Sequence, residues 1–182
     1  MVKSVAVMVG SLRRDSINRR LARALEKLAD GRLQFHELHI GELPHYNDDL
    51  WDNLPESVAR FKDRMDHSDA VLAVTPEYNR GYPGLIKNAL DWGTRPYGQN
   101  SWANKPAAIT GTSSGVIGTA VGQSHLKSDM LNMGMIVMTR PEAYIQFKPE
   151  AYAADGSVTD DSIRKFLTEF MDSFVTWIDK HG

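Results

Sequence analysis

The sequence predicts a three-layer α/β fold: a five-stranded parallel sheet in the order 2-1-3-4-5 with helices on both faces. Three observations predict it. Short apolar, often β-branched runs alternate with amphipathic helical segments along the chain. The first of these runs opens directly into Gly10–Asn18, a loop of hydroxyls, an amide and guanidiniums that precedes a helical pattern. The chain has 182 residues and no Gly-x-Gly-x-x-Gly, so the six-strand dinucleotide fold lacks both its second half and its fingerprint.

Each element follows from its pattern. Val2–Val9 is the first strand, apolar and β-branched. Ser16–Ala29 places Leu21, Ala24, Leu25 and Leu28 at helical spacing. Leu33–Leu38 alternates apolar with polar residues and reads as a half-buried edge strand. Pro55–His67 carries Val58, Phe61 and Met65 on one helical face, and Ala70–Thr75 is a short strand ended by Pro76. Pro83–Trp92 starts a helix with proline and sets Leu85, Ile86, Ala89 and Leu90 on one side. Ala107–Gly111 is the fourth strand, Gly115–Met130 a glycine-rich helix, and Met135–Thr139 the fifth strand. Ile163–Ile178 closes the chain with a strong apolar helical face. Parallel neighbours need right-handed crossovers, which leaves few topologies. Residues 1–182 read as one domain without internal repeats; Gly93–Lys105 and Tyr152–Asp161 are its long surface loops.

Bulk properties narrow the chemistry. A composition 42% hydrophobic and 24% charged is that of a globular protein, and a net charge of −2 gives no electrostatic case for nucleic acid or an anionic membrane. The absence of cysteine removes thiolate nucleophiles, thiolate metal sites and disulfides, so redox chemistry would need a bound cofactor. No apolar run approaches the ~20 residues of a membrane span and no signal peptide is expected, which makes the cytoplasm the expected location.

Three segments are expected to converge at the carboxyl ends of the strands, where open α/β sheets bind ligands. In the first, Ser11 and Ser16 offer hydroxyls, Asn18 an amide and Arg13 a guanidinium, beside the N–H groups of a helix start. That donor set suits a terminal phosphate monoester, the group carried by FMN; the plainer alternative is a strand-to-helix turn with Ser16 as N-cap. The second, Pro76-Glu77-Tyr78-Asn79, turns the chain outward and can present a ring and backbone groups to a planar ligand. The third, Gly111-Thr112-Ser113-Ser114-Gly115, lets a flat ring approach the backbone, with Ser113 and Ser114 as polar contacts. Gly118 and Gly122 read as close-packing positions.

Other residues carry less. His36 and His39 point to opposite faces of a strand, and His45, His67, His125 and His181 are scattered, so no metal site is expected. Asp48, Asp49 and Asp52 read as a solvated loop, and the methionines of Met130–Met138 as core or interface. A phospho-acceptor receiver of the same fold would need an acidic pair after the first strand, where Gly10 and Ser11 stand.

Together the three segments resemble the NAD(P)H-dependent FMN reductase family, which includes bacterial chromate and quinone reductases and related azoreductases. The match runs from Val5 to Glu142 by G-S-L-R-x-x-S-x-N at Gly10–Asn18, P-E-Y-N-x-x-x-P-G-x-x-K-N-A-x-D-W at Pro76–Trp92, and T-S-S followed by Gly-Val-Ile-Gly at Thr112–Gly118. The resemblance implies a flavodoxin-like fold in which Ser11, Arg13, Ser16, Ile17 and Asn18 hold the FMN phosphate. It places Pro76, Glu77, Tyr78 and Asn79 along the isoalloxazine, largely through backbone groups, and Ser113, Ser114 and Gly115 along its other edge. Lys87, Asn88, Asp91 and Trp92 would shape helix and subunit contact. Departures are Gly115 directly after Ser114, Leu85 in place of a second glycine, and the spacer Arg80-Gly81-Tyr82 bordering the cleft.

The implied activity is a two-electron, ping-pong oxidoreductase. NADPH or NADH would reduce FMN, and a quinone, flavin, azo compound, nitroaromatic or chromate would then take the same place as acceptor. No residue is certain as a catalytic acid or base; Tyr78 is the side-chain candidate proton donor. Arg13, Arg14 or Arg80 could meet a nicotinamide cofactor's 2′-phosphate. The alternatives are a flavodoxin-like one-electron carrier and a non-catalytic FMN-binding protein. A homodimer or homotetramer is implied, with Trp92, Trp102 and the methionine-rich stretch as candidate interface.

Overall fold

The computed structural model describes all residues, Met1–Gly182. Its strands are β1 (Lys3–Val9), β2 (Leu33–Glu37), β3 (Ala70–Val74), β4 (Pro106–Ser113), β5 (Ile136–Val137) and β6 (Ala143–Gln146). Its α-helices are α1 (Ile17–Leu28), α2 (Glu56–Asp66), α3 (Gly84–Gly93), α4 (Ala120–Asn132) and α5 (Asp161–His181). The sheet is parallel in the order β2-β1-β3-β4-β5, the expected order.

Alternation along the strands sorts the core onto two faces. Val5, Val7 and Val9 of β1 and Leu72 and Val74 of β3 pack under α1 and α5, against Leu21, Leu25, Phe170 and Phe174. Ala6, Met8, Val71 and Ala73 face the other way, onto Phe61, Met65, Ile86, Leu90 and Leu126 of α2, α3 and α4. All five residues of β3 are buried, as a central strand covered on both sides requires. Truncating such a leucine to alanine costs about 2–5 kcal/mol.

Three expectations need correction. The fifth position of the sheet is two short strands: β5 pairs with Pro106 and Ala107, and β6 pairs with Thr110–Ser113 further along β4. The interruption carries Pro141, which has no N–H to donate to the ladder. The helix expected from Gly115 begins at Ala120; Gly115–Thr119 stays a loop because the Ser113 hydroxyl donates to the Gly118 carbonyl (2.6 Å) and Gly118 sits at φ +64°. Trp92 and Trp102, candidates for a subunit interface, are fully buried. Their indole N–H groups donate to the Pro44 carbonyl (2.8 Å) and the Leu90 carbonyl (3.0 Å), and Met130, Met135 and Met138 are core as well.

Candidate functional site

The loops after β1, β3 and β4 meet at one edge of the sheet. Their closeness is enforced by backbone contact: a Cβ on Gly111 would stand 1.9 Å from the Thr75 carbonyl oxygen, so only glycine lets β4 pass the end of β3 there. Thr75 in turn donates its N–H to the Thr110 carbonyl at 2.9 Å.

The first loop leads into α1, whose N-cap is Ser16: its Oγ accepts from the Arg19 N–H at 3.2 Å. Asn18 is 2% exposed and does something the sequence did not reveal. Its Nδ2 donates to the Thr112 carbonyl (3.0 Å), and its Oδ1 accepts the Thr112 N–H (2.9 Å). The side chain expected to reach a phosphate therefore ties α1 to the end of β4. Ile17 and Asn18, the first helical residues, keep backbone N–H groups without partners in the chain. Ser11 is buried, Arg13 is exposed, and the Ser11 Oγ accepts from the Arg13 N–H at 3.4 Å. Free N–H groups, the Ser16 hydroxyl and an exposed guanidinium fit a phosphate dianion.

The second loop is a tight hairpin. Tyr78 and Gly81 exchange backbone hydrogen bonds of 2.9 and 3.0 Å, and the two residues between them, Asn79 (φ +51°) and Arg80 (φ +65°), are both left-handed. Asparagine tolerates that conformation; for arginine it costs roughly 1–2 kcal/mol. The Glu77 side chain, only 9% exposed, holds the hairpin in place. One carboxylate oxygen accepts the N–H groups of Val121 and Gly122, each at 3.0 Å; the other pairs with Arg80 Nη1 at 3.3 Å. Thr119 provides α4 no side-chain cap, so Glu77 neutralises that helix N-terminus from another loop. Gly122 lies against the hairpin, where a Cβ would come within 3.2 Å of the Gly81 carbonyl. Tyr82 donates its hydroxyl to the Asp129 carboxylate of α4, and burial, then that carboxylate, raise its pKa. Tyr78 is 51% exposed.

In the third loop the two serines part. Ser113 turns inward, bonding Gly118 O and accepting from Gly115 N–H at 3.2 Å. Ser114 is exposed, its carbonyl accepting from Gln146 Nε2 at 3.2 Å. Gly115 is exposed too, followed by Val116 and Ile117, both exposed apolar residues. Pro76 is buried beneath the hairpin.

The remaining candidates lie elsewhere. His36, inside β2, bonds Ser4 Oγ near the start of β1 (3.3 Å) and Ser68 Oγ just before β3 (2.9 Å), away from the three loops, and burial lowers its pKa. Asn88 accepts the Tyr46 N–H (2.8 Å) and donates to the Pro44 carbonyl (2.9 Å), while Lys87 pairs with Asp91 on the surface of α3. No three His, Asp or Glu side chains converge as a metal site.

A parallel sheet in this order, with a phosphate-type helix start and the loops after β3 and β4 at the same edge, defines a flavodoxin-like flavoprotein. Within that class the chain belongs to the NADPH-dependent FMN reductase family, whose model matches residues 3–150. It is 46% identical over 178 residues to a 2-hydroxy-1,4-benzoquinone reductase of a Burkholderia species, covering 98% of this chain and 97% of that one. It is 44% identical to a quinone reductase of Pseudomonas putida, covering 97% and 95%. The structure of FerB, a flavoenzyme NAD(P)H:(acceptor) oxidoreductase from Paracoccus denitrificans, superposes with a TM-score of 0.98 at 68% identity over the whole of both chains. The chain is thus an oxidoreductase that uses FMN and NAD(P)H. None of its helices is long and apolar enough to cross a membrane.

Proposed function

We propose that residues 1–182 form a single FMN-binding domain that carries two electrons from NADPH or NADH to a quinone-type acceptor by a ping-pong cycle. The observation that carries the reading is the double tie at the sheet edge. Asn18 joins α1 to β4, and Glu77 joins the β3 loop to α4, so three loops far apart in sequence make one rigid shelf.

In this reading the Ser11 and Ser16 hydroxyls, the Arg13 guanidinium and the Ile17 and Asn18 backbone N–H groups hold the phosphate. Asn18 contributes through its main chain, since its side chain is committed to Thr112. Pro76, Glu77, Tyr78 and Asn79 border one edge of the ring system. Ser113 shapes the other edge from beneath, and Ser114 and Gly115 face it. FMN, when bound, supplies the hydride chemistry. The residues orient it, and backbone donors around it favour negative charge on the ring. The exposed Tyr78 is the side-chain candidate for a proton donor, with water as the other source. One opening serves reductant and acceptor in turn, which favours broad acceptor range: quinones first, then flavins, azo compounds, nitroaromatics or chromate. The relatives named for quinone reduction support that order.

A homodimer or homotetramer is part of the proposal. Tyr78 (51%), Val116 (81%) and Ile117 (48%) stand exposed beside the site, and a second copy would cover them. The cytoplasm is the proposed location.

The test is the visible spectrum of the purified flavoprotein under anaerobic conditions. Bleaching of the flavin bands by NADH or NADPH, their return on adding benzoquinone, and parallel double-reciprocal plots support the reading. Flavin that stays oxidised with both nucleotides overturns it.

A further inference from the structure

Helix α1 is electrostatically odd. Its first turn has no acidic residue, yet Arg19, Arg20 and Arg23 occupy its first two turns, the end where the helix dipole disfavours cations. Arg20 and Arg23 are one turn apart, so they also repel each other. Arg19 is relieved by Glu37 at 2.9 Å. Arg14, Arg20 and Arg23 have no carboxylate within ion-pair distance.

These arginines line one cleft of about 260 Å³ between α1 and the turn at Tyr152–Gly156. The turn is a preformed wall. Tyr152 bridges Val158, Ala153 N–H donates to the Ser157 carbonyl (2.9 Å), and Gly156 N–H to the Ala153 carbonyl (3.0 Å). Asp155 is not free to neutralise the arginines. It accepts from Ser157 N–H (2.9 Å) and Oγ (2.7 Å) and pairs with Lys27 at 2.8 Å. Asp15 is then the only unpaired carboxylate among three unpaired arginines, in a chain whose net charge is −2. On the wall, the N–H groups of Ala154 and Asp155 have no acceptor in the chain, and Tyr152, only 8% exposed, keeps a buried hydroxyl without a partner.

Unpaired arginines and spare N–H donors lining one cleft are the chemistry of phosphate recognition, which guanidiniums meet with two parallel hydrogen bonds. We propose that this cleft, whose rim shares Arg14, Asp15 and Ser16 with the Gly10–Asn18 loop, is a second phosphate-monoester site beside the flavin phosphate and distinct from it. The same chemistry could come from the adenosine 2′-phosphate of NADPH or from a free phosphorylated metabolite.

The test titrates adenosine 2′-monophosphate, with adenosine as control, into the flavin-loaded protein and into an Arg20→Ala, Arg23→Ala double variant. Both arginines are exposed, so the variant should fold, and its flavin content is measured alongside. The expected result is saturable binding of the phosphate ester but not of adenosine, at least tenfold weaker in the variant, with flavin content unchanged. A KM for NADPH that rises in the variant while that for NADH stays level assigns the site to the reductant; both KM values level, with ester binding lost, assign it to a free metabolite. No binding to the parent, equal binding to the variant, or loss of flavin from the variant overturns the proposal. Since binding is read without turnover, a failed bleaching experiment leaves this test standing.

Discussion

Two helix N-termini meet the same edge of the sheet, and they are used in opposite ways. At α1, Ser16 satisfies a single N–H, and Ile17 and Asn18 leave theirs free. At α4, the Glu77 carboxylate takes the N–H groups of Val121 and Gly122. Both ends carry the positive partial charge of a helix dipole. One is open to an external anion, and the other is already filled by an internal one. The two loops therefore work differently. The α1 end has donors free for a phosphate, while the α4 end anchors the hairpin that we propose borders the ring.

The comparison can be broken in several ways. The largest effect is expected from Asn18→Ala, which separates the open helix end from β4. It strands the buried N–H and carbonyl of Thr112 and should cost about 2–4 kcal/mol. A lower urea midpoint with unchanged m would show it, and FMN affinity should fall in parallel. Unaltered stability would mean the tie is dispensable.

Glu77→Ala opens the α4 end. Two charge-assisted bonds are lost from a side chain 9% exposed, and about 2–3 kcal/mol of stability should go with them. Glu77→Gln keeps an acceptor oxygen and should recover part of the loss. A ring environment disturbed in the alanine variant, seen as a shifted flavin spectrum, would confirm that the hairpin is held from α4.

Arg13→Ala combined with Ser16→Ala tests the α1 end as a phosphate cradle. FMN affinity should drop roughly ten- to a hundredfold, about 1.4–2.8 kcal/mol, while riboflavin affinity barely changes. Equal losses for the two ligands would sink the assignment. Loss of the Ser16 cap should lower stability by about 1 kcal/mol in either case.

The smallest effect belongs to the far end of the sheet, which serves as a control. Burial holds the His36 pKa below its ordinary 6.5, so the unfolded chain binds the proton more readily. Its contribution to stability is therefore present above 6.5 and is lost as pH falls through the lower folded value. His36→Gln should flatten that part of the stability profile and leave FMN binding unchanged. A flavin affinity that followed His36 would contradict the separation of the two ends.

Much of this was legible from residues alone. Strand and helix order came from periodicity, because β1 is apolar from Val5 to Val9, β3 is apolar throughout and α1, α2 and α5 are amphipathic. Ser16 as N-cap and the bland packing role of Gly122 followed from local chemistry. The split of the fifth strand did not: Met135–Thr139 signalled a strand, of which only Ile136–Val137 pair, and the four residues of β6 past Pro141 carry too little pattern to signal another. The cleft on the outer face of α1 also stayed hidden, because its far wall, Tyr152–Gly156, is remote in the chain from Arg14–Arg23.

Fold class, the three loops and the family are readable from residues alone, because hydrophobic periodicity, proline and glycine positions and ungapped motifs are local properties. Tertiary structure alone decided which donors remain available. The Asn18 and Ser113 side chains are committed inside the protein, Ser114 and the first N–H groups of α1 are not, and the Glu77 carboxylate caps α4. The physical reason is that a buried polar group must find a partner, and here the partners lie 94 residues from Asn18 and 44 residues from Glu77.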